Sequence, residues 1–378
     1  MTDQQHRSDA LASTSRNLSS LGFLVSRLGD EITQVVQDMH GAIANPLGVR
    51  GRDYKPAPLV YNLIRFGFQQ AANLAKAGHG LQRGGHHPRS LLDVQSIFNG
   101  VFGQMLAQQH SPYELDMTLI NASQPLAEPD ALIIFLHGLC LNESSWHCQE
   151  RLGFSQWARD QLNADSALLR YNTGLHISDN GLDLAHTLST MELPDKVILI
   201  GHSMGGLVAR SALHQGREAG HDWADKVSHL ATLGSPHQGA VLERIGNQAN
   251  RLLGVTPYSK PLMRLGNLRS AGIRDLRFGY VLEQQWCDHP DDAPRPSFKV
   301  PLDQQVEQLF VAATLSPADA SALAGDWMVT VDSALANQLY ADQATRLSRA
   351  TLHQLGHMGL LSAPETYQTL RRWLESHC

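Results

Sequence analysis

The stretch that most constrains the fold runs from Val197 to Ala209 and reads VILIGHSMGGLVA. Its first four residues are apolar and mostly branched at Cβ, which predicts a buried β-strand. A Gly-x-Ser-x-Gly pattern, formed by Gly201, Ser203 and Gly205, follows the strand and precedes a run of helix formers. A serine in a sharp strand-to-helix turn projects its hydroxyl outward, and flanking glycines let neighbouring backbone pass without a Cβ clash. We therefore predict that Ser203 is a nucleophile.

This stretch resembles the nucleophile elbow of the α/β-hydrolases, and Gly-His-Ser-Met-Gly-Gly is the version common in bacterial lipases and carboxylesterases. The resemblance covers about residues 113–378. It implies an α/β fold with a doubly wound, mostly parallel sheet, in which ligands bind beyond the carboxyl ends of the strands. It makes His202 part of the elbow. The backbone N–H of Met204, at the start of the helix, becomes one donor of an oxyanion hole.

A second turn fits the same resemblance. Residues 131–136 are apolar and predict a buried strand, and His137-Gly138-Leu139 follows them directly. In α/β-hydrolases a His-Gly turn after this strand supplies the second oxyanion donor, which here is the backbone N–H of Leu139. Gly138 permits the turn, and the expected role of His137 is to support the loop rather than to take part in the chemistry.

The catalytic acid is assigned by resemblance to the Asp-x-x-Val loop of the family, which places it at Asp326. This residue follows a predicted strand over residues 308–313 and precedes a predicted helix over residues 333–340. Asp332 is the rival, although its position suits a helix N-cap. Asp319 is a further alternative, less well placed.

The catalytic base of the family lies just past the last strand, commonly in a Gly-His pair, and His357 fits this position. His353 falls at the end of the predicted strand, where a histidine is usually structural. His237, in a Gly-Ser-Pro-His-Gln-Gly turn, precedes the expected acid, whereas this fold places its base last. The chain order Ser203, Asp326, His357 is the α/β-hydrolase order.

The chain divides into three predicted parts. Residues 1–20 are polar and read as a disordered tail, and residues 21–112 form a helical extension whose third helix covers about residues 90–108. Residues 113–378 form the catalytic domain. Its insert at about 240–305 interrupts the strand-helix alternation and predicts a helical lid over an apolar pocket, with a structural insert as the alternative. Amphipathic helices in the extension must cover their apolar faces, so a homo-oligomer formed through them is one expectation.

Composition narrows the classes of partner. A formal net charge of −6 gives no reason to expect a nucleic acid. The 19 histidines and four cysteines are scattered, without zinc-ligand spacing or a disulfide framework, so we expect neither a metal nor another cofactor. The start of the sequence lacks a secretory pattern, and no run approaches the ~18 apolar residues of a membrane span, which favours a cytoplasmic enzyme.

The function predicted from these residues is hydrolysis of a carboxylic ester of esterase or lipase type, through an acyl-enzyme on Ser203. The substrate would be a small-molecule or lipid-like acyl ester. A thioesterase, amidase or polyester depolymerase could use the same residues. A third alternative, from a different class, is an α/β-hydrolase scaffold that binds a partner without catalysis.

Overall fold

The computed structural model describes residues 89–240, 270–287, 299–320, 325–340 and 346–377. The predicted tail, the first two predicted helices of the extension and most of the predicted lid lie outside these residues. The predictions of a lid and of association through the extension therefore stay predictions.

In the described part of the chain, seven strands form one sheet in the order β1-β3-β2-β4-β5-β6-β7. The first edge strand, β1, is antiparallel to β3, and the other pairings are parallel. The strands are β1 (Thr118–Asn121), β2 (Ala131–Leu136), β3 (Ala164–Arg170), β4 (Lys196–His202), β5 (Val227–Leu233), β6 (Glu307–Thr314) and β7 (Leu347–His353).

Helices alternate with most of these strands, which is the pattern of a doubly wound sheet. Within the described ranges the α-helices are α1 (Arg89–Gln108), α2 (His147–Arg151), α3 (Phe154–Leu162), α4 (Ile177–Ser189), α5 (Met204–Glu218), α6 (Asp222–Asp225), α7 (Ala271–Phe278), α8 (Val331–Leu335) and α9 (Pro364–His377). No helix in these ranges is long and apolar enough to cross a lipid bilayer.

Both sides of the sheet are covered by apolar side chains. Leu199 of β4 belongs to one core cluster with Leu184 of α4 and Leu207 of α5. Its neighbour Ile198 belongs to a second cluster with Phe154 of α3 and Trp373 of α9. Successive residues of a strand point to opposite sides of the sheet, so a strand covered on both sides reads as a continuous apolar run. The predicted fold class, a mostly parallel α/β sheet, is confirmed.

The observed elements refine the prediction in two places. Within the predicted insert, residues 278–286 contain the end of α7, a turn and a 3₁₀ helix at Glu283–Gln285. The helix predicted at 333–340 is the shorter α8, whose N-cap is Thr330, because its Oγ1 accepts from the N–H of Ser333 at 3.2 Å. Asp332 is therefore in the first turn of α8 and is not the cap. The third helix of the extension is confirmed as α1.

The chain forms two compact units. One contains Asp93–Gln104 of α1 together with Leu115–Ile245 and Ser270–Cys378. The other contains the remaining residues. The middle of α1, which the sequence assigned to the extension, thus lies in the same compact unit as the sheet.

Candidate active site

Ser203 lies in the sharp turn between β4 and α5, with φ of 54° and ψ of −120°. Positive φ is uncommon for a residue with a Cβ, and such strain persists only when the surrounding structure holds it. One constraint is the hydrogen bond from the Ser203 N–H to the carbonyl of Leu233 at the end of β5, at 2.8 Å. The serine is buried, with 7% of its surface exposed.

The two flanking glycines let this turn pack against its neighbours. A Cβ on Gly201 would overlap the backbone of Gly206, where α5 crosses back over the strand. A Cβ on Gly205 would lie 2.6 Å from the carbonyl oxygen of His137, in the loop after β2. Both positions are therefore closed to any side chain, and the pattern read from the sequence follows from close backbone approach.

His357 and Asp326 follow β7 and β6, whose carboxyl ends lie side by side in the sheet. The Nδ1 atom of His357 lies 2.7 Å from the Oδ2 atom of Asp326, and both side chains are buried. The backbone N–H of His357 also donates to the carbonyl oxygen of Asp326, at 3.2 Å. The two residues are joined through side chain and main chain together.

The carboxylate of Asp326 is fixed on both oxygens. Its Oδ1 atom accepts from the N–H groups of Met328 at 2.9 Å and of Val329 at 2.7 Å, which leaves Oδ2 for the histidine. The rival Asp332 is exposed, and its carboxylate accepts from the side chain of Asn337 at 3.0 Å. Of these aspartates the structure brings Asp326 to His357, and Asp319 is exposed as well.

The environment of His357 connects it to the serine turn. Gly234 directly follows Leu233, whose carbonyl oxygen accepts from the N–H of Ser203. A Cβ built on Gly234 would lie 3.2 Å from the Nδ1 and Cε1 atoms of His357. The Nε2 atom of His202, next to the serine, lies 3.1 Å from the His357 carbonyl oxygen. The Nε2 atom of His357 is buried and has no hydrogen-bond partner among the described residues, so it is available to a hydroxyl.

The other candidate histidines differ from His357 in their positions and partners. His353 is the last residue of β7. His237 accepts at Nδ1 from the buried guanidinium of Arg210, at 3.0 Å, and lies 3.0 Å from the hydroxyl of Thr232 through Nε2. Burial and the charge of Arg210 hold the pKa of His237 well below its ordinary value. It is therefore a neutral bridge within the core.

Residues 137–142, here called the β2 loop, lie against the serine turn. A Cβ on Gly138 would lie 3.1 Å from the Cβ of Ser203. The backbone N–H groups of Leu139 and Met204 donate to no other described residue, so both are available to a ligand. His137 supports the loop: its ring stacks on Tyr171, whose hydroxyl donates to the His137 carbonyl at 2.6 Å. Burial lowers the pKa of His137 to about 4, so its ring is neutral.

Two features of the site were not found by sequence reasoning. The contact of the His202 ring with the His357 backbone was missed, although the position of His202 beside the predicted nucleophile was a signal. The packing of α1 on the β2 loop was also missed. Its signal was the pair Gly100 and Gly103, unusual inside a helix.

Within the described ranges, no group of three or more His, Cys, Asp or Glu side chains could hold a metal ion. Cys140 and Cys148 are not joined by a disulfide bond. The chemistry that this arrangement can perform with its own groups is proton transfer at His357, attack by Ser203 and stabilisation of an anion by backbone N–H groups.

Comparison with known families agrees with the fold. The model of a family described as PGAP1-like alpha/beta domain matches residues 181–294, a segment that runs from α4 through the serine turn into the insert. None of the curated proteins compared with the sequence matches it. The strand order and this match confirm the resemblance to the α/β-hydrolases.

The solved structures to which the chain is similar are remote from it in sequence. The mature form of the Bacillus licheniformis lipase BlEst2 is 19% identical, with a TM-score of 0.45, over 68% of this chain and 98% of that one. Carboxylesterase CesB from Bacillus subtilis is 15% identical, with a TM-score of 0.43, over 75% and 99%. The RedJ thioesterase of Streptomyces coelicolor is 20% identical, with a TM-score of 0.39, over 68% and 91%.

Proposed function

We propose that this protein is a serine hydrolase that cleaves carboxylic esters, with Ser203 as nucleophile, His357 as base and Asp326 as acid. One observation carries the proposal: the 2.7 Å contact between His357 Nδ1 and Asp326 Oδ2, buried beside a strained serine turn. A carboxylate there fixes the tautomer of the imidazole, because it requires the proton on Nδ1. The unpartnered Nε2 atom is then the basic one.

The first half of the reaction follows from these positions. His357 takes the proton of the Ser203 hydroxyl through Nε2, and Asp326 stabilises the imidazolium that forms. The serine oxygen attacks the carbonyl carbon of the ester. The developing oxyanion is held by the N–H groups of Leu139 and Met204, and each such donor is worth ~3 kcal/mol in the barrier.

The second half regenerates the serine. His357 gives its proton to the leaving alcohol, and an acyl group remains on Ser203. Water then enters, loses a proton to His357 and attacks the acyl carbonyl, with the same two N–H groups holding the oxyanion. Collapse of this intermediate breaks the bond between the acyl carbon and the serine oxygen, which takes the proton back from His357, and the carboxylic acid leaves. These steps use only groups of the chain and water.

Exposed apolar residues favour an ester with an apolar acyl or alcohol group. Among the described residues, large hydrophobic side chains are exposed at five positions, and three of these lie in the loops that carry the acid and the base: Leu315, Trp327 and Met358. Trp327 follows Asp326 directly, and Met358 follows His357. Apolar surface of this kind is typical of a site that binds an apolar ligand.

Two alternatives are separated from this proposal by chemistry. A thioesterase, amidase or polyester depolymerase would use the same residues on a different leaving group. A binding scaffold without catalysis would have no need for a buried acid–base pair and a strained serine, both of which store unfavourable energy. The joined His357 and Asp326 therefore favour an enzyme.

The test is hydrolysis of nitrophenyl esters of graded acyl length, from acetate to palmitate, by the wild type and by Ser203→Ala. Matched thioesters and anilides measured alongside assign the leaving group. We expect the wild type to hydrolyse the esters and Ser203→Ala to be inactive. A folded wild type that neither hydrolyses any of these substrates nor reacts with a fluorophosphonate at Ser203 would favour the binding scaffold.

A further inference from the structure

The middle of α1 lies directly on the β2 loop. A Cβ built on Gly100 of α1 would overlap the Sγ atom of Cys140 and lie 3.1 Å from its backbone N and Cα. The carbonyl oxygen of Gly100 also accepts from the hydroxyl of Ser270, at 2.6 Å, just before α7. Gly100 therefore fills the space between the β2 loop and the N-terminus of α7 with backbone alone.

The same helix contacts the β2 loop at a second place. The side-chain amide of Asn142 donates to the carboxylate of Asp93 at 2.8 Å and lies 3.2 Å from the hydroxyl of Ser96. Asn142 also caps the 3₁₀ helix that follows the loop, since its Oδ1 atom accepts from the N–H of Ser144 at 2.9 Å. The end of the loop is thus tied to the first turns of α1.

A third contact joins α1 to the loop after β3. The amide of Asn172 donates to the carbonyl of Gly103 at 3.1 Å, and a Cβ on Gly103 would lie 2.9 Å from the Cα of Gly174. That loop in turn contacts the β2 loop, because the hydroxyl of Thr173 accepts from the N–H of Cys140 at 3.1 Å. Both glycines of α1 are therefore required by close approach, although glycine weakens a helix.

The β2 loop needs such support because its conformation is strained. Cys140 has φ of 60°, in the left-handed region that favours glycine. It follows Leu139, whose N–H is the proposed second oxyanion donor, and Gly138, which lies against Ser203. A change in Cys140 would be transmitted directly to the peptide that carries this donor. The surrounding contacts hold a backbone that the sequence of the loop alone would not favour.

We propose that α1 positions the oxyanion hole: Gly100 sets the place of Cys140 and thereby the direction of the Leu139 N–H. This inference rests on the proposed function for its catalytic consequence. Gly100 does not contact the substrate and is a positioning residue. Part of the region that the sequence assigned to a separate extension then belongs to the catalytic machinery.

The first test is Gly100→Ala, with Gln108→Ala at an exposed position of the same helix as control. Helix propensity alone predicts that Gly100→Ala is harmless or stabilising. The close contact predicts instead that kcat for nitrophenyl butyrate falls on the order of 10- to 100-fold, with KM little changed, because a donor displaced by a fraction of an ångström loses much of its effect. The control should keep its kcat.

A second-site change separates positioning from general packing. Cys140→Ala removes the Sγ atom that the new methyl group would overlap, so the double variant Gly100→Ala, Cys140→Ala should recover most of the lost kcat. A loss that Cys140→Ala does not rescue would overturn the proposal, since the damage would then lie elsewhere in α1. If Gly100→Ala yields no folded protein, Ser270→Ala removes the hydrogen bond to the Gly100 carbonyl and should lower kcat in the same direction.

A readout without catalysis keeps this proposal distinct from the proposed function. Burial raises the pKa of the Cys140 thiol to about 11, so its alkylation by iodoacetamide in the wild type should be slow. Gly100→Ala should accelerate alkylation of Cys140, measured by peptide mass spectrometry, and leave that of Cys148 unchanged. If the wild type has no esterase activity but Gly100→Ala still accelerates the alkylation of Cys140, the proposed function is overturned and the packing of Gly100 on Cys140 is supported. An active wild type whose Gly100→Ala variant keeps both kcat and the alkylation rate would overturn the positioning role.

Discussion

The Nε2 atom of His202 lies 3.1 Å from the carbonyl oxygen of His357, so the residue before the proposed nucleophile holds the backbone of the proposed base. A carbonyl only accepts, so Nε2 carries the proton and Nδ1 does not. The ring is buried, and its pKa is well below the ordinary value because of burial and the neighbouring His357. His202 is therefore a neutral donor whose hydrogen bond joins the loop of the proposed nucleophile to the loop of the proposed base.

We predict that His202→Leu lowers kcat by roughly 10- to 100-fold, because His357 loses the contact that places its ring. His202→Gln, whose Nε2 can donate to the same carbonyl, should keep more of the activity. The melting temperature should fall modestly in His202→Leu, because the His357 carbonyl loses its donor, although the leucine also removes the buried Nδ1 atom that has no partner among the described residues. Equal losses in the Leu and Gln variants would contradict a role for this hydrogen bond.

We predict that Ser203→Ala and His357→Ala each lower kcat for nitrophenyl esters by ~10⁴-fold or more, because a catalytic triad acts as a unit and removal of either residue abolishes most of its effect. His353→Ala is the control, since His353 is the last residue of β7, four positions before His357. Steady-state kinetics on folded variants measures both. An active His357→Ala variant beside an inactive His353→Ala variant would move the base to His353.

We predict that Asp326→Asn loses far more activity than Asp332→Asn. The former replaces the carboxylate oxygen that lies 2.7 Å from His357, and the amide would favour the wrong tautomer of the ring. The latter changes an exposed side chain on α8. We expect a ~10³- to 10⁴-fold lower kcat in the first variant and a nearly unchanged one in the second. Comparable kcat values in the two folded variants would refute the assignment of the acid.

We predict that the free energy of unfolding falls as pH drops from about 6.5 to about 4. Burial lowers the pKa of His137 and of His229 to about 4, and His202 and His237 are shifted in the same direction. Below about pH 6.5 these histidines are protonated in the unfolded chain but stay neutral in the folded chain. Their contribution to the free energy of unfolding is therefore fully present above about pH 6.5 and is lost as the pH falls towards about 4. Each such histidine contributes about 1.4 kcal/mol per pH unit within its window.

Urea unfolding at pH 7, 6 and 5 measures this dependence. His229→Gln should reduce the slope by about one proton, because it removes one of the shifted groups without touching the site. An unfolding free energy that stays constant from pH 7 to pH 5 would contradict the prediction, because it would mean that the folded chain takes up as many protons as the unfolded chain over this range.

The sequence already contained the local part of the site. Gly201, Ser203 and Gly205 are contiguous with a strand and a helix, and a sharp turn between them needs small residues at fixed spacing. For the same reason the strand over residues 131–136 and the third helix of the extension were predicted within a residue of their observed bounds. Turn chemistry and apolar periodicity depend on residues close together in the chain, so they can be predicted from the sequence alone.

Only the tertiary structure decided among residues that the pattern left equivalent. Asp326 and Asp332 both follow β6, and which of them meets a histidine 31 or 25 positions away depends on the turn that fixes each carboxylate. The contact of Gly100 with Cys140 crosses 40 residues and places a helix assigned to an extension on the β2 loop. Such contacts are set by the register of the sheet and by the direction of each side chain. Neither the register of the sheet nor the direction of a side chain can be predicted from the spacing of residue types along the chain.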